Sequence, residues 1–515
     1  MTIDFRVIAR QLGLLLLVLS ALILSMTGFA VVEQGISALW RSPDARAMLL
    51  SAAVGIILAL ALVGVGKRSS TIIGHREALL LVAMSWIVGG FVAALPFRCW
   101  AAFRPEAGII EHDFDFMVNC YFESISGLTT TGSTIVQAIG TLPRSILLWR
   151  SLIQWLGGLG IVVLFVAVLP MLGVGGRRIY RIEAPGPSPE GVKPRIVEAA
   201  RALWYIYLGL TLAEIVALRI AGMSWFDATC HTLTTLATGG FSTLDASAAG
   251  FPSPSIQYIL MFFMLLAGMN FGLYHLVLRG EWRKAIKDHE LRCYLALVFI
   301  ATVVIAVSVY RNDSLPPTDT GHPAGVAAVV QHSLFQVLTI QTTTGFCSTD
   351  FDTWSFVPKA ILISLMFVGG CAGSTGGGIK VIRVMIAAKV MVAEIEHVYR
   401  PKVVRMVKIG KTTIDADLKR SILVYVLGIL LLFAMGTGGL MYFDADSGID
   451  ITTAATASAS TLNNIGPGLA RVGATHNYAW FSAPSKIVMC MLMILGRLEM
   501  FTIIVLFTPR YWRGE

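Results

Sequence analysis

Four short segments of this chain each carry a glycine among hydroxyl- or amide-bearing residues, behind a short half-apolar run. They are Leu128-Thr-Thr-Thr-Gly132-Ser-Thr, Leu236-Ala-Thr-Gly-Gly240-Phe-Ser, Gln341-Thr-Thr-Thr-Gly345-Phe-Cys and Leu462-Asn-Asn-Ile-Gly466-Pro-Gly. Successive glycines lie 108, 105 and 121 residues apart. A period of that length, set between long apolar stretches, describes one membrane unit used four times. Four such loops meeting on one axis can replace the water shell of a small cation with backbone carbonyls.

Composition allows little else. Of 515 residues, 56% are hydrophobic and 14% charged, and the mean hydropathy is +0.73, which places the chain among polytopic membrane proteins. Charge-free runs long enough to span include Gln11 to Val32, Ala47 to Gly66, Ala78 to Phe97, Ile256 to Leu278 and Ser421 to Phe443, together with a glycine-broken run from Ala360 to Ile379. Ten full spans and four short re-entrant segments are expected. Arg6 and Arg10 precede the first run, but its apolar core is too long for a signal peptide and no small-residue cleavage site follows.

The net charge of +9 fits a cation handler once it is placed along the chain. With the N-terminus in the cytoplasm, inside loops collect Lys67, Arg68 and Arg76, then Arg177, Arg178 and Arg181, then Arg279 to Arg292, and finally Arg400 to Arg420. Outside loops collect acids such as Asp113, Asp227, Asp245, Asp352 and Asp450. The asymmetry obeys the positive-inside rule, and it leaves an acidic outer mouth that would concentrate cations. Both termini are then cytoplasmic. The basic loops read equally well as topology signals alone. Seven scattered cysteines form no metal-ligand spacing; Cys99 and Cys120 share the outer side, where a disulfide is compatible with the topology.

The organisation predicted is a leading two-helix segment (1–70) and four repeats of span, half-helix, glycine loop and span, at 71–176, 177–280, 281–417 and 418–515. The runs before each glycine are too short to cross a bilayer. Nine residues before the glycine stand Glu123, His231, Gln336 and Ala457; two before it stand Thr130, Thr238, Thr343 and Asn464. A half-helix entering from outside would aim its carbonyl end at the membrane centre and favour a cation there. The proline-rich 177–195 segment is read as a non-helical loop, and Ala393 to Lys419 as an amphipathic surface helix followed by an extended basic turn.

A narrow cation path needs neutral oxygens at close range, and the backbone offers them only in conformations that glycine permits. The candidate ligands are therefore Thr130, Thr131, Gly132 and Ser133; Thr238, Gly239, Gly240 and Phe241; Thr343, Thr344, Gly345 and Phe346; and Asn464, Ile465, Gly466 and Pro467. Glycine also serves simple helix packing in membranes, a reading that suits one such segment better than four in register. The chain has no nucleophile with a positioned base, no metal cluster and no nucleotide loop, so it is not read as an enzyme. No nucleic-acid partner and no organic cofactor are expected.

Larger blocks carry a family resemblance. Phe122-Glu-Ser-Ile-Ser-Gly-Leu-Thr-Thr-Thr-Gly132, Trp155-Leu-Gly-Gly-Leu-Gly-Ile161, Thr342-Thr-Thr-Gly-Phe-Cys-Ser-Thr349, Gly369-Gly-Cys-Ala-Gly-Ser-Thr-Gly-Gly-Gly-Ile-Lys380, Asn463-Asn-Ile-Gly-Pro-Gly468 and Gly496-Arg-Leu-Glu499 resemble the TrkH/TrkG branch of the Trk/Ktr/HKT potassium-transporter superfamily. The resemblance covers nearly the whole chain. It implies an all-α membrane protein with two leading helices and four membrane–pore-loop–membrane repeats around a pseudo-fourfold pore. It also implies potassium at the loop residues, a homodimer within the lipid of the bacterial cytoplasmic membrane, and a cytosolic nucleotide-binding partner of the TrkA type. Some relatives have serine at the first-loop glycine, a change associated with sodium passage; Gly132 keeps potassium as the expected ion. The fourth loop, with Asn463-Asn-Ile, departs from the threonine pattern as the TrkH branch does.

In the resembling family the glycine-rich break is an intramembrane loop that obstructs the path. This makes Gly373, Ser374, Thr375, Gly376, Gly377, Gly378 and Lys380 the expected gate, joined by Arg497 as an electrostatic barrier. Two plainer readings stand beside it: Lys380 snorkels at a cytoplasmic helix end, and Arg497 pairs with Glu499 inside one apolar span to lock helices. A proton- or sodium-coupled symporter on the same scaffold is the functional alternative. Glu214 is the isolated acid such a relay would use, although pairing near Arg219 at the outer surface is the expected role.

Overall fold

The structure, a computed structural model, describes residues 3–37, 41–67, 73–105, 111–167, 192–251, 253–312, 325–402, 406–410 and 412–513. It is almost entirely helical. Helices α1 (Phe5–Gln34) and α2 (Pro43–Val65) form the leading pair. Their seam uses small residues: a side chain at Gly13 would strike the Ala59 carbonyl and Val63, and one at Gly55 would overlap Ser20. Close backbone approach is how helices associate where lipid is as apolar as the helix face. The opposite faces, with Leu15, Val18, Ile57 and Leu60, stay exposed as lipid-facing surfaces must.

The first repeat comprises α3 (His75–Phe103), the short α4 (Met117–Leu128) and α5 (Arg144–Ala167). The second has α6 (Val192–Ile220), the short α7 (Trp225–Leu236), then α8 (Pro254–Ala267) and α9 (Phe271–Leu278). The third has α10 (His289–Arg311), the pore-side α11 (Val326–Gln341), α12 (Phe356–Phe367) and α13 (Val381–Tyr399). The fourth has α14 (Ala416–Phe443), α15 (Ile451–Asn463), α16 (Ala483–Arg497) and α17 (Met500–Ile504). Among the described residues, six helices are long and apolar enough to span, and eight if each bent pair is one span.

Several expectations need correction. The run Ile256–Leu278 is not one straight span: it bends by 92° between α8 and α9. The break is paid for locally, because the Gly268 carbonyl accepts from Cys371 N at 2.9 Å and Asn270 caps the next helix through Gly272 N at 2.8 Å. The last apolar run also breaks, by 116°, with Glu499 in left-handed backbone at φ 58°. Helix α6 starts at Val192, inside the segment read as loop, since Pro194 falls in a first turn where its missing N–H costs nothing. Arg177, Arg178 and Arg181 lie outside the described residues. After α13 the basic turn is a hairpin pairing Lys408 with Thr413 and Ile409 with Thr412. All seven cysteines are free, Cys99 and Cys120 included.

Candidate functional site

Each short half-helix ends alike. The amide one residue before the glycine donates back to the carbonyl six residues before it: Thr131 to Ser126 at 2.8 Å, Gly239 to Thr234 at 2.8 Å, Thr344 to Thr339 at 2.9 Å and Ile465 to Ser460 at 2.9 Å. This six-to-one closure needs left-handed backbone at the turn. Thr130, Thr238, Thr343 and Asn464 supply it at φ 54°, 54°, 60° and 56°. Asparagine tolerates that region, whereas β-branched threonine does not, and each such residue stores about 1–3 kcal/mol of strain. The glycines follow at φ 83°, 74°, 86° and 106°. Left-handed residues alternating with ordinary ones turn successive carbonyls toward one side of the strand.

The four loops close a ring. A Cβ on Gly132 would overlap the Gly239 carbonyl oxygen, one on Gly240 the Thr344 oxygen, and one on Gly345 the Ile465 oxygen; one on Gly466 would come within 2.9 Å of the Thr131 oxygen. Every glycine thus sits against the carbonyl preceding the glycine of the next repeat, in the order one, two, three, four and back to one. The sixteen predicted loop residues therefore come together in one place. The side chains of Phe241 and Phe346 pack behind the ring, over Arg150 at 4.2 Å and beside His231 at 5.8 Å.

The residue nine before each glycine braces the strand that leaves the ring. Glu123, fully buried, pairs with Arg150 at 2.8 Å and accepts from Ile135 N at 3.0 Å and Thr134 Oγ1. His231 bonds Ser242 Oγ at 3.0 Å, and Gln336 reaches Ser348 at 3.4 Å. Ala457 has nothing to give, and its neighbour Thr456 accepts from Leu469 N instead, at 3.0 Å. Breaking a buried ion pair from one side costs about 3–5 kcal/mol. Glu123→Gln should therefore lower the thermal unfolding midpoint in detergent clearly more than Gln336→Leu does, since the latter removes only two long hydrogen bonds.

Sequence reasoning missed Gln154. Its Nε2 donates to the Gly239 carbonyl at 2.7 Å and its Oε1 accepts from Phe241 N at 3.1 Å, clamping the second loop on both sides of Gly240. The available signal was Arg150 and Gln154, two polar residues one helical turn apart within an apolar span.

Beneath the ring, residues 368–379 form a closed loop between α12 and α13. Gly369 N donates to the Ile379 carbonyl at 3.0 Å and Ile379 N to the Phe367 carbonyl at 3.2 Å, tying its neck. The tip contacts the carbonyl ends of three half-helices. Thr375 Oγ1 donates to the Leu236 carbonyl at 2.9 Å, Gly377 N donates to Thr343 Oγ1 at 2.6 Å, and a side chain at Gly377 would meet the Asn463 carbonyl. Lys380 is buried, with Nζ donating to the Gly376 carbonyl, so it does not snorkel. Gly373 accepts from Phe271 N at 3.1 Å, and Ser374 Oγ accepts from Gly376 N at 3.3 Å. The Gly378 backbone is left-handed, at φ 65°.

Arg497 is 3% exposed and reaches the loop rather than Glu499. It donates to the Thr375 carbonyl at 2.8 Å and to the Gly157 carbonyl of the first repeat at 3.1 Å. Glu499 pairs instead with Arg383 at 2.6 Å, because the sharp break after Arg497 turns the two side chains apart. Glycine is needed at position 157, where a side chain would strike the Leu128 carbonyl, and at Gly496, where it would strike that of Leu462. Glu214 also departs from expectation. It is fully buried, with the Thr235 hydroxyl beside its carboxyl and no cation paired with it among the described residues, and Arg219 bonds the Met223 carbonyl instead. The outer acids act partly as struts: Asp245 accepts from Ile139 N at 2.7 Å and Asp352 from Ala470 N at 2.9 Å, each joining two repeats.

Half-helices in fourfold array, set among spanning helices and ending in glycine loops, define a multi-pass membrane transport protein and not an enzyme. The chain belongs to the TrkH family of cation transport proteins, whose model matches residues 51–513. It is similar to the Trk system potassium uptake protein TrkH of Escherichia coli K12, 34% identical over 99% of both chains. The TrkH of Halomonas elongata is 40% identical over 85% of this chain and 86% of that protein. The crystal structure of the potassium transporter TrkH from Vibrio parahaemolyticus superposes with a TM-score of 0.85, at 33% identity over 99% of this chain and 100% of that one.

Proposed function

We propose that this protein carries potassium into the cell across the bacterial cytoplasmic membrane, through a selectivity filter built from the four glycine loops. The observation that carries the proposal is the closed ring, in which each glycine lies against a carbonyl of the next repeat. Four sets of backbone oxygens around one axis, one from each repeat, suit a dehydrated monovalent cation, and the names of the relatives favour potassium. The loop 368–379 closes the path below, and Arg497 adds positive charge where a cation must pass. The working unit is a homodimer regulated from the cytosol by a nucleotide-binding partner of the TrkA type.

The deciding experiment is potassium-against-sodium flux into proteoliposomes, with and without that partner. Potassium flux well above sodium flux, raised by the partner, supports the reading; equal fluxes reject it. Shortening the loop within Gly373 to Gly378 should leave a leak that persists without partner, and a fully closed pore would contradict the obstruction. One observation favours a second reading. A buried carboxyl with no paired cation in a span is costly unless protonated, so Glu214 suits a proton-coupled symporter. A reversal potential that moves with pH in the parent and not in Glu214→Gln would establish coupling.

A further inference from the structure

The four glycine carbonyls of the ring are not equivalent. That of Gly466 accepts three hydroxyl groups: Ser460 Oγ at 2.7 Å, Tyr478 Oη at 2.8 Å and Ser133 Oγ at 3.1 Å. Among the described residues, the Gly345 carbonyl has one side-chain donor, the Cys347 thiol at 3.9 Å. Among the described residues, those of Gly132 and Gly240 take no side-chain donor. A carbonyl oxygen has two lone pairs, so three donors crowd it, and each hydrogen bond it accepts draws electron density away from any other ligand.

Tyr478 is the one of these three donors that lies outside the glycine loops and their half-helices. It comes twelve residues after Gly466 and is 2% exposed, with its ring 5.8 Å from those of both Phe122 and Phe481. Its own amide donates to the Thr134 carbonyl at 2.8 Å, fixing the phenol against the strands leaving the first and fourth loops. Such an arrangement holds the hydroxyl at one place with little freedom to turn elsewhere.

We propose that Tyr478 is a positioning residue for ion selectivity: by adding a third hydrogen bond to the Gly466 carbonyl it weakens the fourth ligand and leaves the cation held mainly by the other three repeats. The inference rests on the filter reading above. Oxygens of higher field strength favour smaller cations, and every hydrogen bond a carbonyl accepts lowers the field it offers a cation. Releasing it should let sodium compete.

The test is the sodium-to-potassium permeability ratio, from bi-ionic reversal potentials of the full-length protein in planar bilayers. Tyr478→Phe removes one oxygen and keeps the ring stack. The ratio should rise about three- to tenfold, the scale of one hydrogen bond. Ser460→Ala, which removes a donor without touching the aromatic stack, should move it the same way and replaces Tyr478→Phe if that variant does not fold. A ratio that is unchanged or lower in these variants overturns the proposal. Gly345→Ser serves as the control. If it alters flux while the hydroxyl variants leave selectivity alone, this inference fails and the filter stands; if it leaves flux and selectivity intact, the filter reading itself fails.

Discussion

Replacing Gly345 by aspartate should abolish potassium uptake, and replacing it by serine should cut uptake or admit sodium. Two independent costs meet at this position. The backbone is left-handed at φ 86°, which costs a residue with a side chain about 1–2 kcal/mol. The new Cβ would also overlap the Ile465 carbonyl oxygen, which is backbone and cannot swing aside as a side chain can. That carbonyl must move, and it belongs to the set proposed to hold the cation. A barrier raised by about 1.4 kcal/mol slows passage tenfold, so the combined change should lower flux by well over tenfold. Aspartate adds a fixed charge that would trap any cation entering. Rubidium or potassium uptake into proteoliposomes, normalised to folded protein by size-exclusion chromatography, checks this; transport at the parent rate would end the filter reading.

Neutralising Arg497 should raise flux that no longer depends on the cytosolic partner. A unit charge about 8 Å from a passing cation, in an effective dielectric of about 20, opposes it by roughly 2 kcal/mol, or some thirtyfold in rate. Arg497→Gln keeps two donors and loses the charge, so it separates electrostatics from anchoring. Arg497→Ala loses both, including the bonds to the Thr375 and Gly157 carbonyls. If charge is the barrier, both variants leak without partner. If anchoring is the larger part, only the alanine variant leaks. Unchanged gating in both would make Arg497 a structural residue that ties the first repeat to the loop.

Much of the architecture was legible because the physics that dictates it is local. Apolar runs of spanning length, short half-helices and recurrent glycines are properties of neighbouring residues. The left-handed turns at Thr130, Thr238, Thr343 and Asn464 are not. Threonine is a poor resident there, and nothing in its identity announces φ near 55°; the six-to-one hydrogen bond of the folded turn imposes it. The partners of charged residues are not legible for a similar reason. Arg497 and Glu499 are two apart in sequence, but the 116° break sends one to the loop and the other to Arg383. Glu214 and Arg219 lie five apart on α6, yet the acid is buried beside the Thr235 hydroxyl while the arginine reaches the Met223 carbonyl.

The sequence by itself determined the class of protein, the number of repeats and the positions of the four glycines, because hydropathy and backbone permissiveness act residue by residue. Only the tertiary structure decided how those glycines meet. Their ring order, the clamp from Gln154, the contact of Thr375 with the Leu236 carbonyl and the Ser133 hydroxyl on the Gly466 carbonyl all join residues from different repeats. No spacing rule can foresee such contacts, since they exist only after four half-helices have been packed around a common axis.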